Sequence, residues 1–405
     1  MTFVENVQPA CRSHALIFGA SGITGWAVVN ALLNDYPEPA AFDRVTALSN
    51  RPIQHQVLQW PSSPKLQHVQ GLNLLQGTQE ELNARISASV PDVESITTVF
   101  FCAYLEGPDM EAETTTNTEL LKRAISAVEA LSPKLRFVMM TMGVKIYGLQ
   151  RVSSFAQESE LPLRETQVCF PAPFDDGFFY FHQLDLLKRL SAGKLWTYGG
   201  VIPDGVVGYA PHSFRSMAKL LAVYLSLYCE IHGTGATVAF PGTATAWGAQ
   251  NSECSQDIVA RFAIYASLHP EESGNGRLFN TADTVRPTTW AERWPILCEY
   301  FGLHGVGPNG GDGPGPDPGQ FFVENRAAWV EVEKRQGLSG GHFVTDEGPA
   351  SGEFVSQVIF SMLDFDRQLD VSEMHRVWGS VTEEMDIRSS WYLAFDRMRA
   401  ANIIP

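Results

Sequence analysis

The chain has 405 residues, 44% of them apolar and 18% charged. This is the composition of a globular protein and excludes an intrinsically disordered chain. There are 29 Lys and Arg against 45 Asp and Glu, a formal net charge of −16, and this field repels a nucleic-acid backbone. The longest apolar stretch, residues 220–229, is about half a bilayer span. Residues 1–12 lack the apolar run of a signal peptide, so we expect a cytoplasmic protein with neither a nucleic-acid nor a membrane partner.

Short apolar runs alternate with helix-compatible stretches along the whole chain. Alternation at this spacing predicts parallel strands joined by right-handed helical crossovers, with helices on both faces of the sheet. We therefore predict a doubly wound parallel α/β fold. The predicted strands are residues 14–18, 45–48, 96–101, 135–141, 195–198, 237–240 and 278–281, and the clearest predicted helices are 113–131, 179–192, 214–230, 256–268 and 290–301.

Two later segments have distinctive patterns. The apolar residues of 214–230 recur at helical spacing, which indicates a helix packed in the core, with a homodimer seam as the alternative. Residues 305–319 are almost entirely Gly and Pro. We predict a flexible surface loop there, because Gly has too much backbone freedom and Pro lacks the amide donor.

The six cysteines are far apart in the sequence. They form no C-x-x-C pair and no combination with His at zinc-site spacing. We interpret them as reduced, mostly core residues and expect no metal site.

Three glycines, Gly19, Gly22 and Gly25, lie directly between the first predicted strand and a helix-compatible segment. Such a turn lets the backbone approach a diphosphate, and the helix N-terminus offers N–H donors and a positive dipole end. The pattern predicts a dinucleotide site; the alternative is a tight turn that binds nothing. The residues expected to contact the dinucleotide are Gly19, Ser21, Gly22, Ile23, Thr24 and Gly25.

The end of the second strand indicates which dinucleotide is bound. An NAD site has Asp or Glu there to accept from the ribose 2′-hydroxyl, but this strand runs into Ser49, Asn50 and Arg51. A guanidinium and two hydrogen-bonding neighbours suit a 2′-phosphate and favour NADP(H); alternatively, Arg51 is a solvated surface cation. Ligands in such sheets lie beyond the carboxyl ends of the strands. This also locates Asn73, Cys102, Ala103 and Tyr104 beside the cofactor.

Reductases of this architecture use a Tyr hydroxyl as acid, with a Lys that lowers its pKa and binds the ribose. The two residues are four apart on one helix, where they share a face. No Tyr-x-x-x-Lys occurs in this sequence, and the nearest pattern runs from Tyr147 to Arg151. Either the Lys comes from elsewhere or the protein does no such proton transfer.

Six short motifs stand out along the chain, at residues 19–25, 50–52, 142–147, 178–181, 203–211 and 240–247. Together they resemble the progesterone 5β-reductase/iridoid synthase-like family of atypical extended short-chain dehydrogenases. The resemblance covers nearly the whole chain. It implies a Rossmann fold with a smaller, mainly helical C-terminal substrate-binding part, and reduction of an activated C=C bond with NADPH. We accordingly assign residues 1–210 to the NADP-binding domain and 211–405 to the substrate part, interleaved with the Rossmann core.

The resemblance implies roles for individual residues. Lys145 matches the family lysine that binds the nicotinamide ribose. The family's catalytic tyrosine falls on Phe181 when residues 185–187 are aligned, or on Tyr180 after a slip of one residue. One residue rotates a helix by about 100°, so both cannot face the nicotinamide. Tyr104 stands where the family has Trp, and Asn50 with Arg51 where it has two Arg; Pro203 and Val206 are further expected cofactor contacts.

These residues support three hypotheses. The first is an NADPH-dependent enone or enal reductase in which Tyr180 or Tyr104, with Lys145, stabilises an enolate. The second is a redox-neutral cyclase or isomerase of a polyketide, terpenoid or alkaloid intermediate that retains the cofactor structurally. The third is a nucleotide-sensing regulator. For an apolar carbonyl substrate, the candidate contacts are Tyr104, Phe155, Phe174, Phe178 and Phe181.

Overall fold

The computed structural model describes residues 13–53, 55–149, 160–168, 178–211, 216–308, 317–339 and 358–405. Their regular structure contains eleven strands. These are β1 (His14–Phe18), β2 (Arg44–Ser49), β3 (Leu66–Gln70), β4 (Thr98–Phe101), β5 (Phe137–Thr141), β6 (Thr197–Pro203), β7 (Val206–Val207), β8 (Thr237–Ala239), β9 (Cys254–Ser255), β10 (Arg277–Thr281) and β11 (His304–Val306).

The described residues also contain α-helices, short 3-10 turns and a π turn. The α-helices are α1 (Ile23–Leu33), α2 (His55–Leu58), α3 (Gln79–Ser89), α4 (Met110–Leu131), α5 (Phe179–Ser191), α6 (Met217–His232), α7 (Ala244–Gly248), α8 (Gln256–Ser267), α9 (Pro270–Ser273), α10 (Trp290–Tyr300), α11 (Pro318–Glu324), α12 (Arg326–Gln336), α13 (Ser372–Trp378) and α14 (Ile387–Ala400). Short 3-10 turns occur at Val93–Ser95, Val144–Tyr147, Glu165–Gln167 and Gly379–Val381, and a π turn at Val358–Met362.

One parallel sheet of seven strands organises the molecule, in the order β10-β6-β5-β4-β1-β2-β3. α1 packs against α8, whereas α4 packs against α3 and α5, so helices flank the sheet. The central strands β1 and β4 are buried along their full length, as expected for strands covered on both faces. The predicted doubly wound α/β fold is confirmed.

The segment after residue 210 contributes to this sheet as well as to the C-terminal helices. Its strand β10 pairs with β6 at the sheet edge, and its helix α8 packs on α1. In α14, Arg397 forms a bidentate pair with Asp257 of α8 at 2.6 and 2.7 Å. The same guanidinium lies 4.8 Å from the ring centre of Trp26 in α1. The C-terminal helix thereby stabilises the first helix of the Rossmann core.

Two predictions on strands are corrected by tertiary packing. β6 runs over Thr197–Pro203 rather than 195–198, and Leu195 is 84% exposed. Its Gly199 interrupts the apolar run, yet a Cβ there would lie 2.3 Å from the Ser273 carbonyl oxygen, so close packing requires glycine. The segment 237–240 forms β8, which pairs with β11 in a separate two-stranded sheet.

The prediction of a loop over residues 305–319 is wrong at both ends. Gly305 lies in β11 opposite Val238, and a Cβ there would lie 2.8 Å from Cys298 Sγ. Glycine therefore lets this strand pack closely on α10. Pro318 opens α11, a position where its missing N–H costs no hydrogen bond. The middle of the segment, residues 309–316, lies outside the described residues.

No helix in the described part of the chain is both long and apolar enough to cross a bilayer.

Candidate functional site

The turn between β1 and α1, residues 19–25, is here called the glycine cradle. Gly19 has a φ of +76°, and a Cβ on it would lie 2.7 Å from the backbone of Cys102 and Ala103. A Cβ on Gly25 would lie 2.3 Å from the Gly19 carbonyl oxygen. Glycine is therefore required by backbone conformation at the first position and by close packing at the other.

The N-terminus of α1 opens from this cradle. Trp26 donates the first intrahelical hydrogen bond, to the Gly22 carbonyl at 2.8 Å, so the amides of Ile23, Thr24 and Gly25 precede the helical ladder. No side chain caps these amides, and the first turn holds no acidic residue. The cradle and the amides together fit the diphosphate of a dinucleotide.

The loop after β2 is fixed at both ends. The Ser49 hydroxyl donates to the Arg51 carbonyl at 3.2 Å, and the Ile53 amide donates to Gln70 Oε1 at 2.7 Å. Asn50 and Arg51 are exposed, and Arg51 forms no ion pair with any described residue. The guanidinium is therefore available to a phosphate beside the ribose.

The ends of β3 and β4 hold the other residues expected at the cofactor. Asn73 is exposed, and its side-chain oxygen accepts from the Leu75 amide at 2.9 Å in a local turn. The Cys102 thiol lies 3.4 Å from the Thr141 hydroxyl across β4 and β5. Burial raises the pKa of this thiol to about 11, so it is protonated and chemically quiet near neutral pH.

The ends of β5 and β6 meet the start of α5. A Cβ on Gly143 would lie 3.6 Å from both the Tyr180 hydroxyl oxygen and the Pro203 carbonyl oxygen. Gly143 caps the 3-10 turn Val144–Tyr147, whose second residue, Lys145, is exposed. Tyr180 is therefore the tyrosine whose hydroxyl lies against the segment that carries the lysine.

The aromatic residues around Tyr180 have different surroundings. Phe178 is 5% exposed and lies at the N-cap of α5, while the half-buried Phe181 packs against the hydrophobic core. Phe155 and Phe174 lie outside the described residues.

Tyr147 donates to Asn280 Oδ1 at 2.6 Å, which assigns it a structural contact. Val206 begins β7, beyond the two-residue connection that follows Pro203, the last residue of β6.

Tyr104, Phe178, Phe179 and Tyr180 form a group that we call the aromatic cluster. Phe179 lies between the two tyrosines, with its ring centre 5.6 Å from Tyr104 and 4.3 Å from Tyr180. The Tyr104 hydroxyl donates to Glu113 Oε1 at 2.8 Å. Burial, and then the charge of Glu113, raise the pKa of Tyr180. Burial, and then the hydrogen bond to Glu113, raise the pKa of Tyr104. Both phenols therefore keep their protons at neutral pH.

A buried amide clamp, not predicted from the sequence, fixes the loop that carries Tyr104. The side chain of Asn117 in α4 accepts from the Leu105 amide at 2.9 Å and donates to the Leu105 carbonyl at 2.7 Å. Gln183 in α5 donates to the Asn117 carbonyl at 2.8 Å. Both amides are almost fully buried. A polar residue in the apolar stripe of 113–131 is the sequence signal that could have identified Asn117.

No group of three or more His, Cys, Asp or Glu side chains in the described part of the chain is arranged to hold a metal ion. The residues after β1, β2, β4 and β5 and at the start of α5 supply backbone amides, the Arg51 guanidinium, the Lys145 ammonium and two phenols, one of them hydrogen-bonded to the Glu113 carboxylate. This donor set suits an anionic organic cofactor and a carbonyl compound.

Comparison with known proteins identifies the group to which this site belongs. The family model of the PRISE-like Rossmann-fold domain matches residues 15–405. The chain belongs to this family. The short chain dehydrogenase ausT of Aspergillus calidoustus is 30% identical over 397 residues, 96% of this chain and 94% of that protein.

A plant relative and a solved structure extend the comparison. The 3-oxo-Delta(4,5)-steroid 5-beta-reductase of Arabidopsis thaliana is 23% identical over 329 residues, 81% of this chain and 78% of that protein. An epimerase from Methanothermobacter thermautotrophicus matches with a TM-score of 0.61 at 12% identity, covering 96% of this chain and 93% of that one. This likeness shows the fold alone. Membership of the PRISE-like family confirms the resemblance inferred from the sequence and marks the protein as a short-chain dehydrogenase/reductase-like enzyme.

Proposed function

We propose that the protein is an NADP(H)-dependent reductase of an activated C=C bond in a large apolar enone or enal, a secondary metabolite. The observation that carries this proposal is the Tyr180 hydroxyl against Gly143, in the segment of Lys145. A phenol and an ammonium here lie beyond the carboxyl ends of β5 and β6, where coenzyme and substrate meet in such sheets. The name of the plant relative, a steroid 5-beta-reductase, supports a reduction.

The cradle geometry supports a nicotinamide dinucleotide as cofactor. Its diphosphate fits the glycine cradle and the first amides of α1, and a 2′-phosphate fits the exposed Arg51 beside Ser49 and Asn50. When bound, this group supplies a hydride to the β-carbon of the substrate. Because the Cys102 thiol after β4 is neutral, it does not attack the substrate as a nucleophile.

The protein residues act on the carbonyl end of the substrate. As the β-carbon gains the hydride, the electron pair of the C=C bond moves towards the carbonyl oxygen and forms an enolate. The Tyr180 hydroxyl donates a hydrogen bond to this oxygen, and the Lys145 ammonium contributes positive charge. The α-carbon then takes a proton from solvent, which completes the reduction.

The experiment is NADPH oxidation, followed by absorbance, with cyclohex-2-en-1-one and trans-2-octenal as probes. We expect oxidation by the wild type and a loss of about 100-fold in kcat for Tyr180→Phe, the typical cost of one lost oxyanion donor. Tyr300→Phe, which removes a phenolic hydroxyl that donates to Asp396 Oδ1 at 2.6 Å, is the matched control and keeps kcat within a few-fold. Lys145→Ala lowers both turnover and coenzyme affinity.

Two outcomes contradict the proposal. Tight NADPH binding without oxidation by any enone or enal favours the redox-neutral cyclase or isomerase on the same fold. Calorimetry with millimolar NADPH and NADH that detects no binding of either removes the nicotinamide cofactor altogether.

A further inference from the structure

The two tyrosines of the aromatic cluster differ in their hydrogen bonding. A phenol carries a single proton, and a carboxylate only accepts. Because Tyr104 donates to Glu113 Oε1 at 2.8 Å, that proton is committed, and only the lone pairs of the phenolic oxygen remain for a ligand. Among the described residues none accepts the proton of Tyr180, which stays available to a carbonyl oxygen.

The structure holds Tyr104 in this orientation from three sides. Its ring stacks on Phe179 with an interplanar angle of 30°. The Asn117 clamp binds the backbone of Leu105, the next residue. A Cβ on Gly107 would lie 2.6 Å from the Glu113 amide nitrogen, so the loop packs directly on the turn of α4 that carries Glu113. The hydrogen bond between Tyr104 and Glu113 is therefore part of a fixed frame.

Tyr104 is also accessible to a ligand. It is 48% exposed, although it belongs to the same cluster as the buried Phe179. An aromatic ring that is fixed on one side and open on the other is a suitable surface for a small molecule. The negative charge of Glu113 increases the accepting strength of the phenolic oxygen, because hydrogen bonds to an ionised group are stronger than neutral ones and polarise their neighbours.

We propose that Glu113 is a specificity-determining residue that holds Tyr104 as a hydrogen-bond acceptor for the substrate. The site then selects an unsaturated carbonyl compound that also carries a hydroxyl or N–H donor: Tyr180 donates to the carbonyl oxygen, and Tyr104 accepts from the second group. The identity of the carbonyl group rests on the proposed function. The accepting character of Tyr104 rests on its contacts alone.

The test compares two probes that differ by one hydroxyl, cyclohex-2-en-1-one and 4-hydroxycyclohex-2-en-1-one. Their dissociation constants are measured by calorimetry on the enzyme saturated with NADP⁺. We expect the wild type to bind the hydroxylated probe about tenfold more tightly, the value of one good hydrogen bond. In Tyr104→Phe the two probes bind equally.

The Glu113→Leu variant examines the carboxylate itself. Leucine offers no acceptor, so the Tyr104 proton is released to the ligand and the preference for a donor is lost, and we expect a ratio below about twofold. Glu111→Gln is the matched control, since Glu111 is an exposed acid in the same first turn of α4. It removes the same charge and keeps the tenfold ratio. Thermal unfolding of all variants verifies that they are folded.

The outcomes separate this inference from the proposed function. Equal binding of the probes by the wild type, no binding of the hydroxylated probe, or a preference that persists in Tyr104→Phe overturns the role of Tyr104 and Glu113. NADPH oxidation is recorded separately with both probes. A preference in binding without oxidation contradicts the reductase but supports the selectivity; oxidation of both probes without a preference does the reverse.

Discussion

The glycine cradle and the aromatic cluster both lie beyond the carboxyl ends of the sheet strands but are built differently. The cradle is made by the backbone of seven consecutive residues, and two of its glycines, Gly19 and Gly25, are required by contacts of 2.3 to 2.7 Å that a Cβ would make. The aromatic cluster is made by side chains from the β4 loop and from α5, held by a buried amide on α4. One region depends on the absence of side chains, and the other on their identity.

This difference affects how the substrate preference of such an enzyme can change by mutation. A backbone site binds the group common to all nicotinamide dinucleotides and tolerates little substitution. A side-chain cluster changes its hydrogen-bonding character when one residue is replaced, for example Tyr104. We therefore expect coenzyme binding and substrate preference to respond separately to mutation. Four experiments examine the two regions and the strand beneath the cradle, in order of decreasing effect.

The largest effect is expected in the glycine cradle. Gly25→Ala introduces a Cβ 2.3 Å from a backbone oxygen, whereas Gly22→Ala introduces one at 3.3 Å from the same atom. Overpacking against backbone costs about 3 kcal/mol, so Gly25→Ala loses more than about 100-fold in NADPH affinity. Gly22→Ala loses less than about tenfold. Titration by NADPH fluorescence measures both, and equal affinities of the two variants would show that the close approach is unimportant.

The second effect concerns the frame of the aromatic cluster. Asn117→Ala removes the hydrogen bonds to Leu105 and leaves its backbone groups unpaired, which lowers the free energy of unfolding by roughly 2 to 3 kcal/mol. We expect kcat/KM on cyclohex-2-en-1-one to fall while NADPH affinity stays near that of the wild type. Thr115→Ala, at an exposed position of α4, is the control. A parallel loss of NADPH affinity would mean that the two regions are coupled.

The third effect is a pH dependence in the strand beneath the cradle. His14 of β1 contacts Thr46 Oγ1 at 2.8 Å and Ser95 Oγ at 2.9 Å. Burial, and then the charge of Arg44, lower its pKa to about 4. Below pH 6.5 the unfolded chain therefore takes up a proton that the folded chain refuses. This lost stability reaches about 2 kcal/mol at pH 5.

Measuring this effect requires a difference between two proteins. Burial raises the pKa of Asp283, after β10, to about 8, and this group loses stability as the pH rises from about 3.8 towards 8, the opposite direction. The gap in urea stability between wild type and His14→Gln isolates the histidine. We expect that gap to shrink by about 2 kcal/mol from pH 7.5 to pH 5. A gap independent of pH would show that folding leaves the pKa of His14 unchanged.

The smallest effect is on the choice of coenzyme. Arg51→Ala removes an exposed guanidinium from the loop after β2, and we expect about a tenfold loss of NADPH affinity with NADH affinity unchanged. NADH serves as the internal control, because it lacks the 2′-phosphate. A loss of equal size for both coenzymes would contradict a phosphate contact and favour the interpretation of Arg51 as a solvated surface cation.

The sequence by itself determined the alternation of strands and helices in a doubly wound fold, the position of the glycine cradle and the family. These follow from hydrophobic periodicity and from local backbone requirements, which operate over a few neighbouring residues. Most predicted helix bounds agree with the structure within a few residues, as in α8 and α10. The Gly/Pro segment failed because composition reports backbone freedom but not the packing that overrides it, as at Gly305.

Only the tertiary structure shows that the Tyr180 hydroxyl lies against Gly143. One turn of helix α5 carries both Tyr180 and Phe181, and its rotation depends on distant contacts such as that of Gln183 with Asn117. The same holds for Glu113, whose role depends on a loop that folds back onto α4. Periodicity assigns a residue to a helix face. Which partner that face meets depends on residues far away in the chain, and only the folded protein brings them together.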